Sequence, residues 1–193
     1  FEPFVRNAWY LGAWNDELDK LPLSRTIMDE PIVFFRDANG RVAALEDRCC
    51  HRGAPLSQGR AVAAGIECGY HGLIFNGSGI CVEVPGNDKV PPNAVVRSYP
   101  VIERQEFIWI WMGNPNLADE KLIIDFPFHE QTDKWPHRKD MFPIKANYMM
   151  MIDNLMDLSH LGYVHRKTIG GNPDAHVGAE MDVTPTEIGR AHV

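Results

Sequence analysis

Hydrophobic and polar positions alternate in short runs over the first part of this chain and then change character. Residues 31–36 and 41–46 are apolar-rich runs on either side of Asp37-Ala38-Asn39-Gly40, and an Asn-Gly pair between two such runs predicts a hairpin. A second hairpin is expected from residues 73–75 through Asn76-Gly77-Ser78-Gly79 to residues 80–84. Residues 98–103 and 106–112 predict a third antiparallel pair across Arg104-Gln105. In its second strand Phe107, Trp109 and Trp111 alternate with Ile108, Ile110 and Met112, so both faces are expected to be buried. A tryptophan platform for a ligand is the alternative, but apolar side chains on both faces favour core packing.

After Gly113 the periodicity lapses. Residues 114–137 hold several prolines and few regular runs, which predicts a long irregular connection with His129 and His137 as exposed, uncommitted histidines. Residues 149–161 contain neither proline nor glycine and predict a helix, on which Asp153, Asp157 and His160 at i, i+4 and i+7 share one stripe. Gly162 offers a place for that helix to end and bring His165 round toward His160. The Met149-Met150-Met151 run is expected to fill gaps in a core.

Composition narrows the classes. A chain of 193 residues with 45% hydrophobic content can bury a core, and 16 glycines with 14 prolines suit a turn-rich β fold. A formal net charge of -7 argues against a nucleic-acid binder. No apolar run has the length of a membrane span, and the opening residues lack the order of a signal peptide, so no membrane and a cytoplasmic location are the expectations. Four cysteines do not make a disulfide framework, and a reducing compartment suits thiolate ligands.

The chemistry lies in two constellations. Cys49-x-His51 is followed, sixteen residues on, by Cys68-x-x-His71, so each short segment supplies one thiolate and one imidazole. A Rieske two-iron two-sulfur cluster needs that division: two cysteines hold one iron and two histidines the other. A structural zinc site also takes two Cys and two His, but finger-type sites pair like with like at spacings of two to five. In the second constellation Asp157, His160 and His165 offer two imidazoles and a carboxylate, the donor set of the facial triad in non-haem iron oxygenases.

The chain resembles the Rieske non-haem iron oxygenases through C-x-H-R-G-A-P-L-S at residues 49–57 and C-x-Y-H-G-L at residues 68–73. Within them it is similar to oxygenase components of the vanillate O-demethylase, toluenesulfonate methyl-monooxygenase and dicamba O-demethylase type. That likeness includes F-V-R-N-A-W-Y at residues 4–10 and I-D-N-L-M-D-L at residues 152–158. Most relatives carry proline where Cys50 stands, and Cys50 is expected to be a small buried hydrophobe.

The resemblance implies a mainly β Rieske domain of antiparallel sheets with a two-loop cluster-binding subdomain, residues 1–140, whose cluster ligands are Cys49, His51, Cys68 and His71. It implies next, in residues 141–186, the first strand and helix of an α+β catalytic domain. There His160 and His165 are the ligands of a mononuclear non-haem Fe(II), and Asp157 is a carboxylate bridge for electron transfer between subunits. Asn154 and Asp153 line or brace the site. The resemblance further implies a homotrimer and a separate flavin and iron-sulfur reductase that draws on NAD(P)H. The reaction would insert an atom of O2 into an aromatic acid, by hydroxylation or O-demethylation. The third iron ligand of relatives, a later carboxylate, has no match in this chain. With Phe1 in place of Met as its first residue, the chain reads as a C-terminally truncated fragment that would be inactive alone. Residues 187–193 read as a non-native tail, because GAG-ATC-GGA-AGA-GCA-CAC-GTC encodes them and resembles a sequencing-library adapter; His192 would then have no function. Two rivals are a Rieske ferredoxin, which needs no second iron, and a zinc-stabilised binding module, which would be colourless.

Overall fold

A computed structural model describes residues 4–19, 21–171, 181–183 and 188–190. The chain divides into two compact units, Phe1–Lys139 and Asp140–Val193.

The first unit is built of short strands: β1 (Ala8–Trp14), β2 (Leu23–Ile27), β3 (Glu30–Arg36), β4 (Val42–Glu46), β5 (Arg60–Val62), β6 (Gly65–Glu67), β7 (Ile74–Phe75), β8 (Cys81–Glu83), β9 (Ser98–Tyr99), β10 (Val101–Arg104) and β11 (Phe107–Met112). They form three antiparallel sheets with orders β1-β11-β10, β2-β3-β4-β9 and β5-β6-β7-β8. All three hairpins expected from the sequence are present, with the third turn displaced by one residue: Arg104 pairs with Phe107, and Gln105-Glu106 makes the turn. Pro100 parts β9, which pairs with β4, from β10, which pairs with β11.

The side-chain period of a strand explains why the middle sheet holds two cores. Ile32 and Phe34 of β3 and Ala44 of β4 face one cluster, with Ile108, Ile110 and Met112 of β11. Val33 and Phe35, with Ala43 and Leu45, face the opposite cluster, which contains Leu56, Ile66, Phe75, Cys49 and Cys68. A sheet buried on both faces therefore backs the loops that carry the cysteines. All six residues of β11 are buried as predicted, and the other face of that strand packs Phe107 and Trp109 against Ile123 and Phe126.

The connection after Gly113 is irregular, with 3-10 turns at Pro115–Leu117, Glu120–Leu122 and Pro127–Glu130. It is nonetheless fastened to the sheet: Trp9 Nε1 donates to Asp119 O at 2.8 Å, and the buried Gln105 side chain bonds Phe126 N and Asp125. His129 and His137 are not the solitary histidines the sequence suggested, because their rings lie 4.6 Å apart beside Glu106.

In the second unit, helix α1 spans Tyr148–Met156 and α2 spans Leu161–Val164, and β12 (Met181–Val183) pairs antiparallel with β13 (Ile188–Arg190). Of the strand and helix expected in residues 141–186, the helix comes first and the strand is β12; residues 141–147 are irregular, and the Asn147 side chain caps α1 by accepting from Met149 N at 3.0 Å. The predicted helix over residues 149–161 breaks at Asp157, which takes an extended conformation (φ -93°, ψ 96°). Its carboxylate accepts hydrogen bonds from Ser159 N and Oγ, a local side-chain to backbone turn that competes with helix. Gly162 does not end a helix but is buried within α2. Met149 and Met150 are 48% and 65% exposed, so they do not fill a core here. Of the tail at residues 187–193, positions 188–190 form β13, while Glu187 and residues 191–193, His192 among them, lie outside the described residues. Among the described residues no helix is long and apolar enough to cross a membrane.

Candidate metal centres

Two loops of matching construction carry the first donor set. In the loop between β4 and β5, Cys49 N donates to Ala54 O at 2.8 Å and Gly53 N to Cys49 O at 2.9 Å. Between β6 and β7, Cys68 N donates to Leu73 O at 2.8 Å and Gly72 N to Cys68 O at 3.0 Å. Each loop thus folds back on its cysteine through a glycine four residues later, with φ of 70° at Gly53 and 74° at Gly72, a region that a side chain disfavours. The loops meet where Gly59 abuts the second one: a Cβ on Gly59 would stand 1.9 Å from Glu67 O.

This construction sorts the four donors. Cys49 and Cys68 are 3% and 1% exposed within the apolar cluster, whereas His51 and His71 are exposed with ring centroids 4.6 Å apart. Burial pushes the Cys49 thiol up to about 11, against a backbone hydrogen bond at His51 and together with the Cys68 thiol that it contacts. Two sealed sulfurs and two imidazoles at the solvent edge, on adjoining loops, fit a cluster ligated by cysteine at one iron and histidine at the other. Asp47 braces the first loop. Its buried carboxylate accepts from Ser57 N at 2.7 Å, Ser57 Oγ at 2.6 Å and Ser24 Oγ at 3.0 Å. The sequence does not single out Asp47, whose only signal there is its position two residues before Cys49.

Cys50, expected to be buried, is exposed. The one-residue gap between Cys49 and His51 turns its side chain away from the core that receives Cys49.

The second donor set is partly assembled. His160 and His165 stand at the two ends of α2, both half-buried, with ring centroids 5.4 Å apart. They are five positions apart in the chain, a step that on an unbroken helix sets side chains well apart in angle. Placing both as flanking residues of a four-residue helix brings them together. Asp157 lies on the exposed stretch between the helices and bonds Ser159. Asp153 and Asn154 are exposed on α1, and Asp153 O accepts from Asp157 N at 3.1 Å.

Residues 8–100 match the model of the Rieske [2Fe-2S] domain, and residues 144–191 match the model of the vanillate O-demethylase oxygenase C-terminal domain. The chain belongs to the Rieske oxygenase components. It is 43% identical over 188 residues to the iron-sulfur subunit of the toluene-4-sulfonate monooxygenase system of Comamonas testosteroni, covering 97% of this chain and 54% of that one. It is 48% identical over 169 residues to the oxygenase component of dicamba O-demethylase from Stenotrophomonas maltophilia, covering 84% of this chain and 48% of that one. The crystal structure of dicamba monooxygenase with non-haem iron and dicamba superimposes with a TM-score of 0.78 at 39% identity, covering 98% of this chain and 54% of that one. The chain spans about half the length of the curated relatives it matches. Cys49, His51, Cys68 and His71 all fall inside the Rieske [2Fe-2S] match, which sets aside a zinc module. The second match, to an oxygenase C-terminal domain, sets aside a plain ferredoxin.

Proposed function

We propose that this chain forms the electron-entry domain and part of the iron-binding segment of the oxygenase component of a two-component Rieske non-haem iron monooxygenase. The observation that carries the reading is the presence, in one chain, of two sealed thiols with two exposed imidazoles and of a second imidazole pair at the ends of α2. Cys49 and Cys68 hold one iron of the cluster, and His51 and His71 hold the other. His160 and His165 hold a mononuclear Fe(II), completed by a carboxylate not assigned in this chain. When bound, these groups supply one-electron transfer and O2 activation.

The residues of the chain itself bind and orient. The glycine-closed loops fix the four cluster donors, and Asp47 anchors the first loop through Ser57. The short α2 sets the spacing of the two iron-binding imidazoles. Asp157, exposed beside them, bridges His71 of one subunit and His160 of the next in a homotrimer, and Asn154 with Asp153 braces that approach. A flavin and iron-sulfur reductase using NAD(P)H is the electron donor, an aromatic acid is the substrate, and a reducing cytoplasm suits the thiolate ligands.

The test is made on the full-length protein, purified anaerobically and supplied with a reductase of this class. Vanillate, dicamba and toluene-4-sulfonate, the compounds named for its relatives, serve as first substrates. Replacing Asp157 with Ala is expected to leave iron and acid-labile sulfide at wild-type levels while abolishing substrate-coupled O2 uptake. Near-normal turnover in that variant would remove the bridging role, and absence of labile sulfide from the wild type would remove the whole reading.

A further inference from the structure

A third group of donors lies in the first unit, apart from the two loops. The turn into β11 places Gln105 and Glu106 in left-handed conformations (φ 55° and 66°), and the Glu106 carboxylate meets the end of the connecting segment. Glu106 Oε2 is 2.7 Å from His137 Nε2 and 3.8 Å from His129 Nδ1, and one ligand atom from each of the three residues lies within 4.8 Å of the others.

Both imidazoles are prepared for a cation. His129 lies among Trp14, Phe107, Phe126 and Phe128, with Phe107 4.9 Å from its ring. Its Nδ1 is buried with no hydrogen-bond partner, and Trp109 Nε1 is the one other buried side-chain polar atom so placed among the described residues. Native proteins leave few such atoms, and each calls for an explanation. His137 has the complementary arrangement: its Nδ1 faces Trp135 O at 3.1 Å. Its Nε2 donates to Glu106 Oε2 at 2.7 Å, so a metal ion would take the place of that proton while Nδ1–H stays on the Trp135 carbonyl. A backbone carbonyl on the remote ring nitrogen is the outer contact that metal-binding histidines commonly use to fix their tautomer.

We propose that Glu106 Oε2, His129 Nδ1 and His137 Nε2 form a site for a divalent transition-metal ion, zinc foremost, that fastens the connecting segment to the β10–β11 turn. Two imidazoles and one carboxylate are a zinc donor set, with water completing the coordination. The observed separations need only small side-chain adjustments for bonds of about 2.0–2.2 Å. Lys139 is the competing cation, but it holds the other oxygen, Glu106 Oε1 at 3.2 Å, and is shared with Asp16 at 3.1 Å. With neutral imidazoles, Glu106, Asp16 and Lys139 together carry one net negative charge, so the ion need not expel the ammonium.

The full-length, iron-loaded protein is dialysed against zinc and then against buffer, and zinc, iron and labile sulfide are counted per chain. The same is done for His129→Gln and Glu106→Gln, with a His160→Ala background in parallel so that zinc at the oxygenase site is recognised. The expected result is one zinc fewer per chain in each variant than in its parent, with iron and sulfide unchanged, and a zinc-dependent rise in Tm that both variants lose. Iron and sulfide report folding, so a variant that fails to fold is identified and the other decides. Equal zinc in the parent and in either folded variant overturns the proposal.

Discussion

Glu30 shows how much one side chain organises at the edge of the middle sheet. It accepts from Tyr99 Oη at 2.7 Å, from Arg97 at 2.8 Å and from Arg6 at 3.1 Å, so it ties β3 to β9 and to the N-terminal stretch. Burial pulls its carboxyl upward, but the Tyr99 and Arg6 hydrogen bonds and the Arg97 charge outweigh that and hold it below its ordinary value. A depressed folded-state value means stability that is present above the unfolded value and lost as pH falls through the folded one. Glu30→Gln is therefore expected to cost about 1 kcal/mol at neutral pH, after discount for solvent screening, with the gap closing in acid. Urea unfolding of both proteins from pH 7 down to pH 3 checks this, and a gap that does not change with pH would remove the ionic account. At this scale the sequence told donor types but not their partners. That Cys49, His51, Cys68 and His71 come together on adjoining loops was legible from their paired spacing, whereas Asp47 and Glu30 act on groups far along the chain.

At the scale of elements, the strands were legible and the helix was not. Alternating large apolar residues in β11 admit one periodicity, and the structure buries all six. The stretch at residues 149–161 has helix-favouring composition, but one aspartate turning back on Ser159 N stops it, a local competition that propensity does not register. His129 and His137 were misread because the carboxylate that gathers them precedes them by more than twenty residues and reaches them only through a turn. The loop pair makes a sharper prediction. Gly59→Ala would set a methyl group 1.9 Å from the Glu67 carbonyl, in backbone that cannot swing aside, and would push the two loops apart. The variant is expected to lose about 1–3 kcal/mol of stability and most of its cluster. Iron and labile sulfide counts with the visible spectrum read the result, and full cluster occupancy would mean the loops do not need that approach.

Over the whole molecule, the two units differ in how they cover apolar surface. The first encloses three apolar clusters within its own strands and connecting segment. The second leaves Phe142, Met150 and Leu155 more than half exposed, and α1 has no buried residue. Exposed apolar area on that scale marks surface that binds other apolar surface. The 193-residue chain produced alone is expected to enhance the fluorescence of an anilinonaphthalene dye, and to lose that enhancement when cut back to residues 1–139. Unchanged dye binding after the cut would place the sticky surface on the first unit.

The solvent edge of the two loops has one more consequence. His51 and His71 open side by side while the sulfurs of Cys49 and Cys68 are shut away behind them. On the proposed reading the neighbouring subunit's Asp157 keeps His71 permanently engaged, so a reductase that comes and goes is expected to approach from the His51 side, and crowding that side would slow delivery of electrons without disturbing their onward route.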